Sequence, residues 1–150
     1  MSRTTLEAFI RSKAGGTPRG DRESELQARK DVWLKRVSRL YADVRKWLAD
    51  LERDGVLRFD LDKVALEERE IGQYDVEVLT LAIGKQQVAF CPKGTLIVGA
   101  DGRIDIQGQR GVRTIIFSGG RWHLVTRTPK LRLLPFNEDS FQDVLSEVMR

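Results

Sequence analysis

The chain has 150 residues, 41% of them apolar, and carries 26 basic against 22 acidic side chains for a formal net charge of +4. That length suits one core-forming domain, and so small an excess of cations admits nucleic acid as a partner without arguing for it. A single cysteine, Cys91, and a single histidine, His123, exclude an internal disulfide and a thiolate zinc site built from this chain alone, and no cofactor is indicated.

Residues 1–23 join a short amphipathic piece, with Leu6, Phe9 and Ile10 on one helical side, to the breaker-rich "AGGTPRGDR". Glycine, proline and charge without periodicity predict a flexible tail ahead of one domain over 24–150. Leu6, Phe9 and Ile10 are candidates for docking on a partner. "MSRTTLEAFIRSK" has no continuous apolar stretch of the kind a secretory leader needs, and no run approaches about 18 apolar residues. The expectation is a soluble, cytoplasmic protein with no membrane partner.

Ser24-Glu-Leu-Gln27 has the form of a capping box, in which Ser and Gln side chains satisfy the amides a helix start leaves unpaired. The helix it predicts runs to Asp54-Gly55, where glycine can take the left-handed closing conformation. Trp33, Val37, Leu40, Val44, Trp47 and Leu51 alternate steps of four and three, with Leu34, Tyr41 and Leu48 beside them. So wide a stripe suits lying across a sheet rather than zipping with one helix. The charged first turns, "ESELQARKD", are expected to overhang that sheet or bend away from it.

From residue 56 the period changes to two. Leu57, Phe59 and Leu61 suggest a short strand, while "KVALEEREIGQY" reads equally as helical turn or acidic strand. Three hairpins follow: 76–83 with 86–91 through Gly84-Lys85, 95–100 with 103–108 through Asp101-Gly102, and 112–118 with 121–127 through Gly119-Gly120. Pro129 and Pro135 bracket an extended "KLRLL", and Asn137 can cap a last helix with Phe141, Val144, Leu145, Val148 and Met149 on one face. The predicted fold is α+β: a long N-terminal helix, an antiparallel meander of about six strands and a C-terminal helix, in two layers. Its core would set the stripe of the long helix against Ile97, Ile104, Ile106, Ile115, Phe117, Trp122 and Leu124.

Charge is unevenly spread. Residues 55–77 carry three basic and seven acidic groups, and residues 78–137 carry nine basic and two acidic. Arg103, Arg110, Arg113, Arg121, His123, Arg127, Lys130 and Arg132 are therefore candidate nucleic-acid contacts on one sheet face. In the third hairpin, alternation puts Trp122 and Leu124 on the core side with Phe117 and Ile115, and His123 on the other side between Arg121 and Arg127. No carboxylate lies in that hairpin to orient His123 as a general base. No nucleophile elbow or phosphate-binding loop occurs. Asp60, Asp62, Glu67, Glu68 and Glu70 are the one grouping that suggests a carboxylate-bound divalent cation and a hydrolase. The reading the sequence favours is a non-catalytic module that binds a protein partner; a nucleic-acid-binding accessory protein and a metal-dependent hydrolase are the alternatives.

Overall fold

A computed structural model describes residues 19–95, 100–127 and 129–150. Leu6, Phe9, Ile10 and Ile97 lie outside the described residues. Helix α1 (Arg19–Trp47) begins ahead of Ser24, so the expected capping box sits inside it. Glu23, Glu25, Leu26, Gln27 and Ala28 are helix formers, and the two acids favour a helix start through its dipole. The helix is interrupted at Leu48 and resumes for one turn as α2 (Ala49–Arg53), closed by Gly55 at φ 75°. α2 buries none of its residues, which is why Leu51 is exposed although it continues the apolar spacing.

Seven strands follow in strict chain order, each antiparallel to the last: β1 (Leu57–Glu68), β2 (Gly72–Ile83), β3 (Gln86–Gly94), β4 (Gly102–Gly108), β5 (Gly111–Ser118), β6 (Arg121–Thr126) and β7 (Arg132–Pro135). Helix α3 (Glu138–Val148) closes the chain; the Asn137 side chain accepts from the Ser140 amide at 3.0 Å, and Ser140 Oγ accepts from the Asn137 amide at 2.8 Å. Trp33, Val37, Leu40, Tyr41 and Val44 of α1 and Phe141, Val144 and Val148 of α3 meet Leu79, Leu81, Val88, Phe90, Ile104, Ile106, Ile115 and Leu124 in one cluster. Both helices therefore lie on one face of an antiparallel meander, and the fold is α+β.

One stretch left open by its pattern resolves as strand, and β4 takes a partner other than the one expected. The "KVALEE" stretch is strand, and it carries β1 through to Glu68. The expected strand 95–100 falls mostly outside the described residues, and β4 is flanked instead by β3, with Phe90 opposite Ile106 and an irregularity between Pro92 and Gly94, and by β5. Asp101-Gly102 resembles a tight turn only in composition. Gly102 does not take positive φ, and its Asp101 neighbour donates its amide to Phe117 O at 2.7 Å. Glycine is required there by packing, since a Cβ would lie 2.2 Å from Trp33 Cζ3. Gly119 and Gly120, by contrast, take φ 60° and 80°, as a two-residue hairpin turn demands.

The β1–β2 ribbon changes its buried face along its length. At its base Leu57, Leu79 and Leu81 are buried, but at its tip the buried residues are Glu68, Tyr74 and Val76, on the opposite alternation. Pairing stays in one register from Leu57↔Ile83 to Glu68↔Gly72, so no bulge makes the change. Only Leu79–Ile83 of β2 pair with β3. Beyond them the ribbon is two-stranded and free to twist strongly, which turns its other face to α1. The start of α1 thus does not overhang: Arg22 pairs with Glu70 at 3.5 Å, Lys30 lies over the Tyr74 ring, and Arg29 Nη2 donates to Thr95 O at 2.7 Å.

Candidate functional site

The ribbon tip is tied down by a buried carboxylate. Glu68 Oε1 accepts from the Thr95 amide at 2.7 Å and from Thr95 Oγ1 at 3.2 Å, and Tyr74 Oη donates to Glu68 Oε2. Burial, followed by the bond to Glu68, pushes the Tyr74 phenol far above its ordinary range. Tyr41, whose Oη donates to Glu77 O at 2.7 Å, is likewise raised by burial. Both tyrosines serve as neutral donors: Tyr41 ties α1 to strand carbonyls, and Tyr74 ties β2 to the Glu68 carboxylate of β1. Of the expected acidic group, Glu68 is committed to Thr95 and Tyr74, Glu70 to Arg22, and Asp60 to Arg58. Among the described residues no three His, Cys, Asp or Glu side chains are disposed to hold a metal ion.

On the sheet face opposite the helices, Asp105 accepts twice from Arg103, at 2.9 and 3.2 Å, and once from Thr114 Oγ1 at 2.9 Å. Arg103 is therefore neutralised. Cys91 stands opposite Asp105 in the ladder, and burial raises its thiol, with Lys93 acting the other way. His123 is opposite Ile116 as expected, half-buried, with Nε2 3.0 Å from Ser118 O. It touches no acid.

The cations of residues 103–132 do not form one patch. Arg113 is opposite Ile106, on the helix-bearing face, where Nη1 pairs with Glu147 of α3 and Nη2 donates to Val125 O at 3.4 Å. Its insertion parts two strands. The β5–β6 ladder runs from Ser118↔Arg121 to Ile115↔Leu124 and stops, so the expected Thr114–Val125 pair is not made. Below Arg113 lies an open cleft of about 430 Å³ between Val112 and Thr114 on one side and Val125 to Arg127 on the other. Arg121 lies at the far end of β6, next to the Gly119-Gly120 turn, whereas Arg110, Arg127 and Lys130 occupy the connections at the cleft end.

The same end carries the two most exposed leucines of the described chain, Leu131 and Leu133, with Leu134 beside them. Leu131 is 68% exposed, Leu133 47% and Leu134 38%, on or beside β7, the last strand of the sheet. Alternation forces this result: adjacent Leu133 and Leu134 point to opposite faces, and at a sheet edge neither face is fully covered. Val125, opposite Leu133, and the exposed Val112 extend the apolar strip. Arg110, Arg127, Lys130 and Arg132 rim it, and among the described residues none has a carboxylate within 4.0 Å, as the ion pairs engage other residues. Consecutive leucines between two prolines were the sequence signal for this edge; the extended piece was legible, its exposure was not.

Compared with protein-family models, with curated proteins and with solved structures, the chain matches none of them.

Proposed function

We propose that this chain is a non-catalytic interaction module that docks a protein partner along the β7 edge. One observation carries the reading: three exposed leucines lie on or beside an edge strand whose neighbouring cations have no carboxylate partners among the described residues. Apolar surface rimmed by charge is the usual make-up of a binding patch. The opposite edge, β1, is managed differently. Its exposed Leu61 and Val64 alternate with Arg58, Asp60, Asp62, Lys63 and Glu67, charges of both signs that discourage strand addition.

Nucleic-acid binding has less support. Arg103 and Arg113 are consumed by Asp105 and Glu147, Arg121 and His123 sit at the other end of the sheet, and the aromatics beside them, Phe117 and Trp122, pack against each other at 5.3 Å on the core side. Few rings remain on which bases could stack. Among the described residues no helix is long and apolar enough to cross a membrane. A reducing compartment such as the cytoplasm accords with the free Cys91 thiol.

The test is capture from the native cell with the full chain and with Leu131→Ser/Leu133→Ser, followed by titration with each differential partner as a purified protein. A purified partner that binds the parent at least tenfold more tightly supports the edge. Equal binding to both proteins refutes it. A third bait beginning at residue 19 examines the other candidate surface, Leu6, Phe9 and Ile10, without cutting into α1.

A further inference from the structure

Resting on that reading, the geometry points to the chemistry of what docks: a short, extended, acidic segment that pairs with β7 through the main chain of Leu133. Phe136 donates its amide to Trp122 O at 3.0 Å, which fixes the bonding phase of the strand. In an antiparallel ladder the residues that bond a given neighbour alternate. Leu134 and Arg132, opposite Leu124 and Thr126, are then the residues turned towards β6. Leu133 and Pro135 turn their main-chain groups outward. Pro135 has no N–H to offer, and its carbonyl already accepts from Ser140 Oγ at 3.0 Å. Leu133 is thus the residue of β7 whose N–H and C=O both face the open edge.

The side chains specify the guest. Leu133 shares a face with Val125, so an incoming strand meets an apolar strip there. One apolar residue of the guest would cover it. Arg132 and Lys130 lie one and three residues before Leu133 in the run Lys130-Leu-Arg-Leu-Leu134, and Arg127 opens the β6–β7 connection. Glu147, the acid lining the neighbouring cleft, is engaged by Arg113. Acidic residues on either side of the guest's apolar residue would therefore find cations without competitors. A basic guest would find repulsion. Pro129 and Pro135 limit the pairing to a few residues, so charge and one apolar contact supply much of the affinity, and binding is expected to be salt-sensitive.

The experiment titrates the full chain with a short peptide alternating Glu and Val, its Lys and Val counterpart, and the Glu/Val peptide with alternate amides N-methylated, reading amide chemical shifts. Leu133→Pro and Leu133→Ala are compared as proteins. Both lose the side chain, but only proline removes the outward N–H, which no other strand uses, so an edge strand tolerates it. The expected result is binding of the Glu/Val peptide with shifts confined to β6 and β7, at least tenfold weaker binding of the Lys/Val peptide, and a loss of severalfold on raising salt to about 0.5 M, where the screening length falls to a few ångströms. Leu133→Pro should bind at least fivefold more weakly than Leu133→Ala while melting alike. Equal binding by those two variants, or by the N-methylated peptide, overturns main-chain pairing; equal binding of the Lys/Val peptide overturns the acidic guest. If no peptide binds but purified partners still distinguish Leu131→Ser/Leu133→Ser from the parent, the acidic segment is wrong and the docking edge stands. If a single-stranded oligonucleotide produces the β6–β7 shifts and the Glu/Val peptide does not, the guest is a polyanion and not a strand.

Discussion

Gly102→Ala isolates the tightest close approach in the helix–sheet interface. The added Cβ would lie 2.2 Å from Cζ3, 2.7 Å from Cε3 and 3.0 Å from Cη2 of Trp33. To reach ordinary contact the ring must retreat by about 1 Å, yet Trp33 is fully buried and packed on Trp122 at a centroid distance of 6.1 Å. Overpacking of this kind costs about 1–3 kcal/mol, and the smaller unfolded-state entropy of alanine returns about 0.4–1 kcal/mol. The net expectation is a loss of about 2 kcal/mol. Because φ at Gly102 is not positive, none of that loss is backbone strain, so it should vanish when the ring is trimmed. Trp33→Phe lacks the far edge of the indole; it should cost about 2 kcal/mol by itself, and adding Gly102→Ala to it should be neutral within about 0.5 kcal/mol. Urea unfolding followed by far-ultraviolet circular dichroism measures all four proteins of the cycle, and the coupling should exceed about 1.5 kcal/mol. A Gly102→Ala penalty of the same size in both backgrounds would mean that Gly102 serves a turn conformation after all.

Three further outcomes follow from buried groups. The chain has two tyrosines, Tyr41 and Tyr74, both raised by burial from an ordinary value of 10.0; the folded state therefore keeps protons that the unfolded state releases above pH 10. Stability should fall by about 2.7 kcal/mol per pH unit beyond that point, and tyrosinate absorbance should rise only with unfolding; a rise near pH 10 in folded protein would contradict the burial. Glu68→Ala should cost about 3 kcal/mol, since it strands the Thr95 amide and the Tyr74 hydroxyl, and a thermal melt within error of the parent would remove Glu68 as the tie of the ribbon. Trp122→Ala should cost about 2–3 kcal/mol, less than a fully buried indole because Trp122 is half-buried, whereas His123→Ala, losing one bond to Ser118 O, should stay within about 1 kcal/mol; the reverse order in denaturant midpoints would invert the face assignment.

Local signals with a single cause were legible. Asn137 caps α3, Gly119-Gly120 makes its turn, and the Ile115–Leu124 register follows from that turn alone. Gly102 shows the limit: the same residue type answers either to backbone conformation or to a neighbour's ring, and composition does not separate the two. The Arg113 misassignment is of the same kind, because a guanidinium that parts β5 from β6 draws on Glu147, thirty-four residues away, and no short-range period encodes that. Glu68 read as one acid among several, although Tyr74 and Thr95 single it out. Exposure at β7 depended on which strand ends the sheet, a fact of topology rather than of pattern.

The face reversal along the β1–β2 ribbon makes its length an angle as well as a distance. Between the base, where Leu57 and Leu81 look inward, and the tip, where Glu68 and Val76 do, the pair of strands acts as a screw whose pitch is set by the number of paired residues. Removing one residue from each strand midway would keep every rung intact and leave the hairpin no less well paired. It would also dial Tyr74 and Glu68 away from α1, so this stretch should tolerate substitution far better than paired insertion or deletion.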